Sequence, residues 1–524
     1  MKMKRLTVVF AVVSSLLLSV VCRADVKLPS IIGDNMVLQR DMAIPLWGHA
    51  DPGEKVTVSM NNRKFTTKTG RDGKWSVRLD SMDAGGPYAL TIEGDSDAIT
   101  FSNILVGEVW LCSGQSNMEM MVAHCDNGPD EVANAVHPML RLFQTTNAVS
   151  PEPLDDCEGK WKVCRPSTVG NFSAAGYFFG REIMLELDVP VGLIHSSWGG
   201  TTAETWMSIG ALTSYPEFRF ILYRWDEVMK ERSPDVVDYF NDMGQWHEDL
   251  YHQLNVRMFA DKPIVPPRQP PEAPVKLHWL PHIPTWLYNG MITPLIPYAI
   301  RGAVWYQGES NAGRAYQYRE LFPALIRDWR VNWEQGDFPF VFTQISSYGA
   351  RNNQPRESAW AELREAQLLT LAVPNTAMAV TIDIGEADDI HPRNKQEVGR
   401  RLALGALHAA YNRDVVYSGP IYDSMTVEDG RIRLRFRHVG GGLVASTGES
   451  LRGFAVAGAD SVFVWAKAQI DGDEVVVGSD DVAEPVAVRY GWDINPECNL
   501  YNREGLPASP FRTDDWPGMT VDKK

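Results

Sequence analysis

Residues 104–118 decide the fold class, and they read Ile-Leu-Val-Gly-Glu-Val-Trp-Leu-Cys-Ser-Gly-Gln-Ser-Asn-Met. The run from Ile104 to Cys112 is typical of a strand buried on both faces, and a glycine turn ends it. Four similar runs follow later in the chain: Val191 to Ser197, Ala299 to Tyr306, Phe338 to Ile345 and Thr376 to Ile384. Helical patterns lie between them, at Ser173 to Leu187, Ala361 to Ala372 and Lys395 to Tyr411. This alternation predicts a parallel, doubly wound α/β sheet over residues 104–413.

The regions on either side of the α/β part are predicted to be β-rich. Residues 25–103 contain short runs separated by turn signals such as Asp51-Pro52-Gly53-Glu54, which indicates a small β-sandwich. Residues 414–524 form a second β-rich region, where Ile432, Leu434 and Phe436 alternate with arginines. An insertion at 209–290 holds eight prolines between residues 263 and 284. This insertion either forms a wall of the active site or passes over the surface as a linker.

Residues 1–24 have the pattern of a cleaved export signal. Three basic residues within the first five precede a short apolar run from Leu6 to Val21, and Cys22-Arg23-Ala24 resembles a cleavage site. The apolar run is short for a membrane span. A lipid anchor on Cys22 is the less favoured alternative because bulky Val21 precedes it. We therefore expect an exported protein, either periplasmic or secreted.

The net charge excludes one class of partner, and the cysteine count limits the possible disulfides. The formal net charge of the 524-residue chain is -16, which argues against nucleic acid as a partner because phosphate binding needs a basic surface. Five cysteines remain after Cys22, so at least one is unpaired within the chain. Cys157 and Cys164 either form a bridge or are free thiols.

Three motifs follow three successive strands of the predicted sheet. They are Gly114-Gln115-Ser116-Asn117-Met118, Ser197-Trp198-Gly199-Gly200-Thr201 and Trp305-Tyr306-Gln307-Gly308-Glu309-Ser310-Asn311. In such sheets ligands bind outside the carboxyl ends of the strands. Each motif alone also fits a purely structural role. In the order given, these roles are a helix N-cap, a tight turn, and aromatic core residues followed by a turn. Trp305 and Tyr306 suit the core as well as a sugar-stacking wall.

A fourth element, Asp388-Asp389-Ile390-His391-Pro392, follows the last predicted strand. A serine needs a base to take its proton, and the base needs a partner that fixes its tautomer. Ser116, His391 and Asp388 therefore indicate attack on an ester carbonyl, followed by hydrolysis of an acyl-enzyme. Asp389 is the alternative acid from the same loop.

These blocks together resemble the sialate O-acetylesterases, which belong to the SGNH (GDSL-like) hydrolase superfamily. The stretches Met36-Val37-Leu38-Gln39-Arg40 and Pro45-Leu46-Trp47-Gly48 are similar to the N-terminal β-domain of that family. The resemblance covers nearly the whole mature chain. It implies a flavodoxin-like three-layer α/β/α core with a parallel sheet, and an O-acetylated sugar or glycan as substrate.

The resemblance also implies roles for single residues. Ser116 matches the nucleophile, His391 the base and Asp388 the acid. The oxyanion hole would consist of the Ser116 N–H, Gly199 or Gly200, and Gln307, with Asn311 as an alternative to Gln307. Further candidates for substrate binding are Gln115, Asn117, Trp198, Glu309, Asn311 and Arg364. No metal or organic cofactor is expected for this chemistry.

Two other functions stay open. An acetyl esterase acting on xylan or another hemicellulose would use the same triad. A glycan-binding protein without catalytic activity would suit the 17 tryptophans, but the intact serine, aspartate and histidine positions argue against it.

Overall fold

The computed structural model describes residues 26–228, 245, 280–448 and 450–524. The strands of the N-terminal region are β1 Val37–Gln39, β2 Ile44–His49, β3 Lys55–Met60, β4 Arg63–Lys68, β5 Lys74–Leu79 and β6 Gly85–Glu93. The strands of the central region are β7 Ala98–Gly114, β8 His137–Gln144, β9 Trp161–Cys164, β10 Val191–Ser197, β11 Gly302–Tyr306, β12 Phe340–Gln344 and β13 Thr376–Val380. The helices are α1 Ser116–Glu119, α2 Gly128–Asn134, α3 Pro166–Val169, α4 Ala174–Leu187, α5 Ile209–Ser214, α6 Ala315–Trp333, α7 Ala359–Leu369 and α8 Lys395–Tyr411.

The central sheet has the order β13-β12-β11-β7-β10-β8-β9. All its pairs are parallel except that of β8 with the edge strand β9. Strand β10 pairs with one edge of β7 and strand β11 with the other, so the order of the strands reverses direction at β7. Ligands of such sheets bind at the carboxyl end of this switch point. Ser116 directly follows β7 and therefore lies there.

Gly114 allows the strand to turn toward Ser116. Its φ is +138°, and a Cβ atom at this position would lie 2.1 Å from the Tyr306 carbonyl oxygen on the neighbouring strand β11. Only glycine tolerates both the backbone angle and the close approach. The sequence Gly-Gln-Ser thus positions the serine through the backbone of two adjacent strands.

Helices cover both faces of the central sheet. On one face α4 and α8 pack together, and Phe178 and Leu402 lie with Trp110 of β7 in one buried cluster. On the other face α6 and α7 pack together, and Phe322 and Leu363 share a second cluster with Trp305 of β11. The predicted three-layer α/β/α core with a parallel sheet is therefore confirmed.

Strand β7 runs without a break through the predicted boundary at residue 103. Its first half pairs with β6 and β1, and its second half pairs with β10 and β11. The strands β2 and β5 form a separate two-stranded sheet, and their buried residues belong to the same cluster as those of β3 and β6. The buried Arg141 of β8 adds a second connection, because its guanidinium donates to the carbonyl oxygens of Asn35 and Asn103.

The C-terminal region consists of β-sheets, as expected. Its strands are β14 Ile421–Glu428, β15 Arg431–Arg437, β16 Leu443–Ala445, β17 Phe454–Ala457, β18 Val464–Trp465, β19 Lys467–Asp471, β20 Glu474–Gly478, β21 Ala487–Tyr490, β22 Leu500–Asn502 and β23 Phe511–Arg512. This region joins the α/β core through ion pairs such as Arg512 of β23 with Glu365 of α7.

All five predicted core strands and the three predicted helices are present. Within the α/β region the sequence analysis did not name β8, β9 or the 19-residue helix α6. Most of the insertion and the predicted leader, with Cys22, lie outside the described residues. The five remaining cysteines are free thiols, so Cys157 and Cys164 form no bridge. In the described part of the chain no helix combines the length and the apolar character needed to cross a bilayer.

Candidate active site

Ser116 is the first residue of α1 and is half-buried. Its Oγ lies 2.8 Å from Nε2 of His391, although 275 residues separate the two in sequence. No hydrogen bond of the Ser116 backbone N–H is found among the described residues. An N–H group at the start of a helix is directed outward and is ready to bind negative charge. The serine thus combines a hydroxyl bonded to a base with a free backbone donor.

In the structure the carboxylate next to His391 is that of Asp389, the alternative acid of the sequence analysis, and not that of Asp388. Oδ1 of Asp389 lies 3.1 Å from Nδ1 of His391 and also accepts the backbone N–H of His391 at 2.9 Å. Such a turn, closed by an aspartate side chain onto the residue two positions later, is a local preference of aspartate. Among the described residues Asp388 makes no hydrogen bond to His391 and is exposed.

The glycine loop lies directly against the nucleophile. A Cβ atom on Gly199 would be 3.3 Å from Cβ of Ser116, so the absence of a side chain keeps the space above the serine open. The Gly199 N–H donates to Oε2 of Glu119 at 2.7 Å. Gly200 has a φ of +75° and forms the exposed turn of the loop. The sequence analysis missed Glu119, although it lies one turn of helix after Ser116.

Gln307 and Asn311 donate hydrogen bonds to residues of this loop and of the segment that follows it. The buried Gln307 donates from Nε2 to the Thr201 carbonyl at 3.2 Å and to Oδ1 of Asn311 at 2.6 Å. Nδ2 of Asn311 donates to Oε2 of Glu204 at 2.9 Å. Both N–H bonds of the Gln307 amide therefore have protein acceptors in the structure, as does the Gly199 N–H.

Asn117 connects three segments of the site. Its Nδ2 donates to Oε1 of Glu309 at 2.7 Å and to the carbonyl oxygen of Ile390 at 3.1 Å. Its Oδ1 accepts from Nζ of Lys395 at 2.6 Å. Burial lowers the pKa of Lys395 to about 7. Burial also raises the pKa of Glu309, although its bond to Asn117 and the charge of Lys395 oppose this effect.

The remaining candidates for substrate binding have different positions. Trp198 is half-buried beside Gly199, where it can face a ligand. Gln115 is buried and accepts the backbone N–H groups of Gly308 and Ser310. Trp305 and Tyr306 are wholly buried, so they belong to the core rather than to a sugar-stacking wall.

Arg364, a candidate for substrate binding, is buried and bonded to the backbone of the protein. Its side chain is fully buried in α7, and burial lowers its pKa to about 10. Its guanidinium donates to four backbone carbonyl groups, those of residues 345, 346, 493 and 494. These bonds join the end of β12 to the C-terminal region.

A second serine–histidine pair lies in the core. Nε2 of His195 is 2.6 Å from Oγ of Ser197, at the end of β10. Burial lowers the pKa of His195 to about 4, so this imidazole is neutral near pH 7. Both side chains are buried, which distinguishes this pair from Ser116 and His391.

Comparisons with known proteins identify carbohydrate esterases as relatives of this chain. The family described as carbohydrate esterase, sialic acid-specific acetylesterase, matches residues 275–408. The sialate O-acetylesterase of Mus musculus is 31% identical over 93% of this chain and 94% of its own length. That of Homo sapiens is 28% identical over 94% of both chains.

A solved structure is similar over the same extent. A carbohydrate acetylesterase from Xanthomonas citri, XAC1771, is 39% identical, with a TM-score of 0.80. The alignment covers 94% of this chain and all of that one. The chain therefore belongs to the sialate O-acetylesterase family of carbohydrate esterases.

Proposed function

We propose that this protein hydrolyses O-acetyl esters of sialic acid through an acetyl-serine intermediate. The observation that carries the proposal is the 2.8 Å contact between Oγ of Ser116 and Nε2 of His391 at the switch point of the sheet. The mammalian relatives, which match along nearly the whole chain, are named for this activity.

In the first half-reaction Ser116 Oγ attacks the acetyl carbonyl carbon while Nε2 of His391 accepts the hydroxyl proton. The tetrahedral oxyanion is bound by the N–H groups of Ser116 and Gly199. Asp389 holds the proton on Nδ1 of His391 and stabilises the imidazolium that forms. The bond from the acetyl carbon to the sugar oxygen then breaks, and His391 donates its proton to that oxygen.

In the second half-reaction water replaces the sugar. His391 accepts a proton from the water molecule while the water oxygen attacks the acetyl-serine carbonyl carbon. The same N–H groups bind the second oxyanion. Collapse of this intermediate releases acetate and returns the proton to Ser116 Oγ. The Gly199 N–H serves either oxyanion only after the Glu119 carboxylate has left it.

The test measures acetate release from 9-O-acetylated sialic acid and, separately, from acetylated xylan. Wild-type protein is compared with Ser116→Ala and with Ser424→Ala, a serine of the remote strand β14. We expect release from the sialic acid ester that Ser116→Ala abolishes and Ser424→Ala leaves unchanged. Release that persists in Ser116→Ala would refute the assignment of the nucleophile.

A second substrate class has a specific observation in its favour. The bacterial relative with 39% identity is called a carbohydrate acetylesterase, with no mention of sialic acid. Serine-dependent release from xylan alone would retain the mechanism and assign the substrate to plant polysaccharide. Failure of Ser116 to react with a fluorophosphonate probe would instead favour a glycan-binding protein.

We also propose that the chain is exported and that residues 1–24 are removed. The proposal rests on the basic and apolar pattern of the N-terminus. The mass of the protein secreted by its native host tests it. A protein that retains Met1 to Ala24 would contradict cleavage.

A further inference from the structure

Lys395 is a buried lysine close to the catalytic pair. It is the first residue of α8, four positions after His391, and its side chain is fully buried. Among the described residues it forms no ion pair within 4.0 Å. Its Nζ donates to Oδ1 of Asn117 at 2.6 Å and lies 5.0 Å from the centre of the Tyr306 ring. Burial of an ammonium group is costly, so its retention here needs an explanation.

The ammonium group determines how the Asn117 amide is oriented. The Lys395 amino group can only donate when it is protonated, and Oδ1 of Asn117 faces it as the acceptor. Nδ2 then faces the two acceptors on the other side, Oε1 of Glu309 and the carbonyl oxygen of Ile390. A flipped amide would place N–H groups against the ammonium and an oxygen against two acceptors.

The bond to Ile390 holds the segment that carries the base. Ile390 immediately precedes His391, and residues 387–394 contain no helix or strand. Asn117 immediately follows Ser116. One amide therefore joins the backbone next to the base to the residue next to the nucleophile, and Glu309 joins the same amide to the loop after β11.

We propose that Lys395 is a positioning residue that acts through Asn117 to hold the His391 loop against Ser116. Lys395 is the donor on one side of the amide, and Glu309 is an acceptor on the other. Lys395 does not contact the reacting atoms. The inference rests on the proposed function in one respect, the roles of Ser116 and His391.

The experiment separates activation of the serine from binding of the sugar. The rate of labelling of Ser116 by a fluorophosphonate probe measures its reactivity, since the probe has no sugar. The kcat and KM for acetate release are measured beside it. The variants are Lys395→Met, Lys395→Met/Glu309→Gln and Asn117→Asp, and the control is Lys467→Met on exposed strand β19.

Lys395→Met leaves a buried carboxylate without its counter-charge, so it is expected to lower the melting temperature. The double variant removes both charges and is expected to restore melting to within a few degrees of wild type. In both variants labelling and kcat fall about 10- to 100-fold, because a misplaced base costs about this much. We expect KM to change by less than about twofold.

Asn117→Asp keeps the contact with Lys395 but has no N–H to donate to Ile390, so it should show the same loss of labelling. Labelling within about twofold of wild type in the folded double variant, or in Asn117→Asp, would overturn the proposal. The proposed function fails separately, if wild-type protein is labelled but releases no acetate. A wild-type protein that is not labelled would overturn both.

Discussion

The identity of the acid beside His391 gives a sharp test, because sequence spacing and geometry name different residues. We compare Asp389→Asn with Asp388→Asn. The asparagine side chain introduced at position 389 retains an oxygen that can accept the His391 backbone N–H, so the turn is kept and only the charge is lost. Asp388 is the matched control, since it is the same residue type, exposed and adjacent in sequence.

The expected loss follows from the distance. At 3.1 Å a unit charge stabilises the imidazolium by about 1.3 kcal/mol in water and about 5 kcal/mol at an effective dielectric constant of 20. The Asp389 side chain is 53% exposed and that of His391 is 37% exposed, so the lower end applies. We take about 1 to 2 kcal/mol, which lowers kcat about 5- to 30-fold.

The assay is the initial rate of acetate release at saturating substrate. Asp389→Asn should show this loss in kcat, whereas Asp388→Asn should remain within about twofold of wild type. A loss of more than about tenfold in Asp388→Asn, with Asp389→Asn unchanged, would refute the geometric assignment and support the acid expected from the Asp-x-x-His spacing.

Three further predictions concern stability. Gly114→Ala should lower the free energy of unfolding by about 3 kcal/mol or more, because the new Cβ atom clashes with the Tyr306 carbonyl oxygen. Gly313→Ala is the control and should be nearly neutral, since nothing lies within 4 Å of the added atom. Denaturant titration of both variants measures the difference. Arg364→Lys should lower the melting temperature with little change in KM, because the bonds that it loses are to backbone carbonyl groups. Arg435→Lys, at an exposed arginine, is the control. A large rise in KM in Arg364→Lys would indicate that Arg364 binds substrate. His195 binds a proton more weakly when folded than when unfolded, so stability should fall by about 3 kcal/mol as the pH drops from about 6.5 to 4. His195→Gln should flatten this part of the stability curve, and an unchanged slope would contradict the assignment.

The sequence predicted what depends on periodicity and on the order of elements. Ser116 and His391 could be paired because both follow strands whose carboxyl ends meet at one edge of the sheet. Strand β8 was missed because Arg141 interrupts its apolar run, and the burial of that arginine is compensated by carbonyl groups from another part of the chain. Such a partner has no local signature.

Side-chain orientation was beyond the sequence. The Asp-x-x-His spacing pointed to Asp388, but the choice depends on which carboxylate closes a turn on the His391 N–H. The sequence likewise does not show that Thr201 and Asn311 accept the two N–H bonds of the Gln307 amide. Nothing in the sequence marks Lys395 as buried, because burial at the first position of a helix leaves no trace in the helical periodicity.

The uninterrupted β7 has a consequence for how the protein can be divided. A cut after residue 103 would separate β1 and β6 from their partners on β7 and would divide this 17-residue strand into pieces of six and eleven residues. The N-terminal sheet and the catalytic sheet therefore share one backbone segment. Loss of strand pairing in the N-terminal sheet would destabilise β7, and with it the position of Ser116 at the end of that strand. We expect the two sheets to melt in a single calorimetric transition and to resist exchange as independent modules between proteins. A fragment that begins at residue 104 would keep the part of β7 that leads to Ser116, but it would lose the first six residues of that strand and its partners β1 and β6.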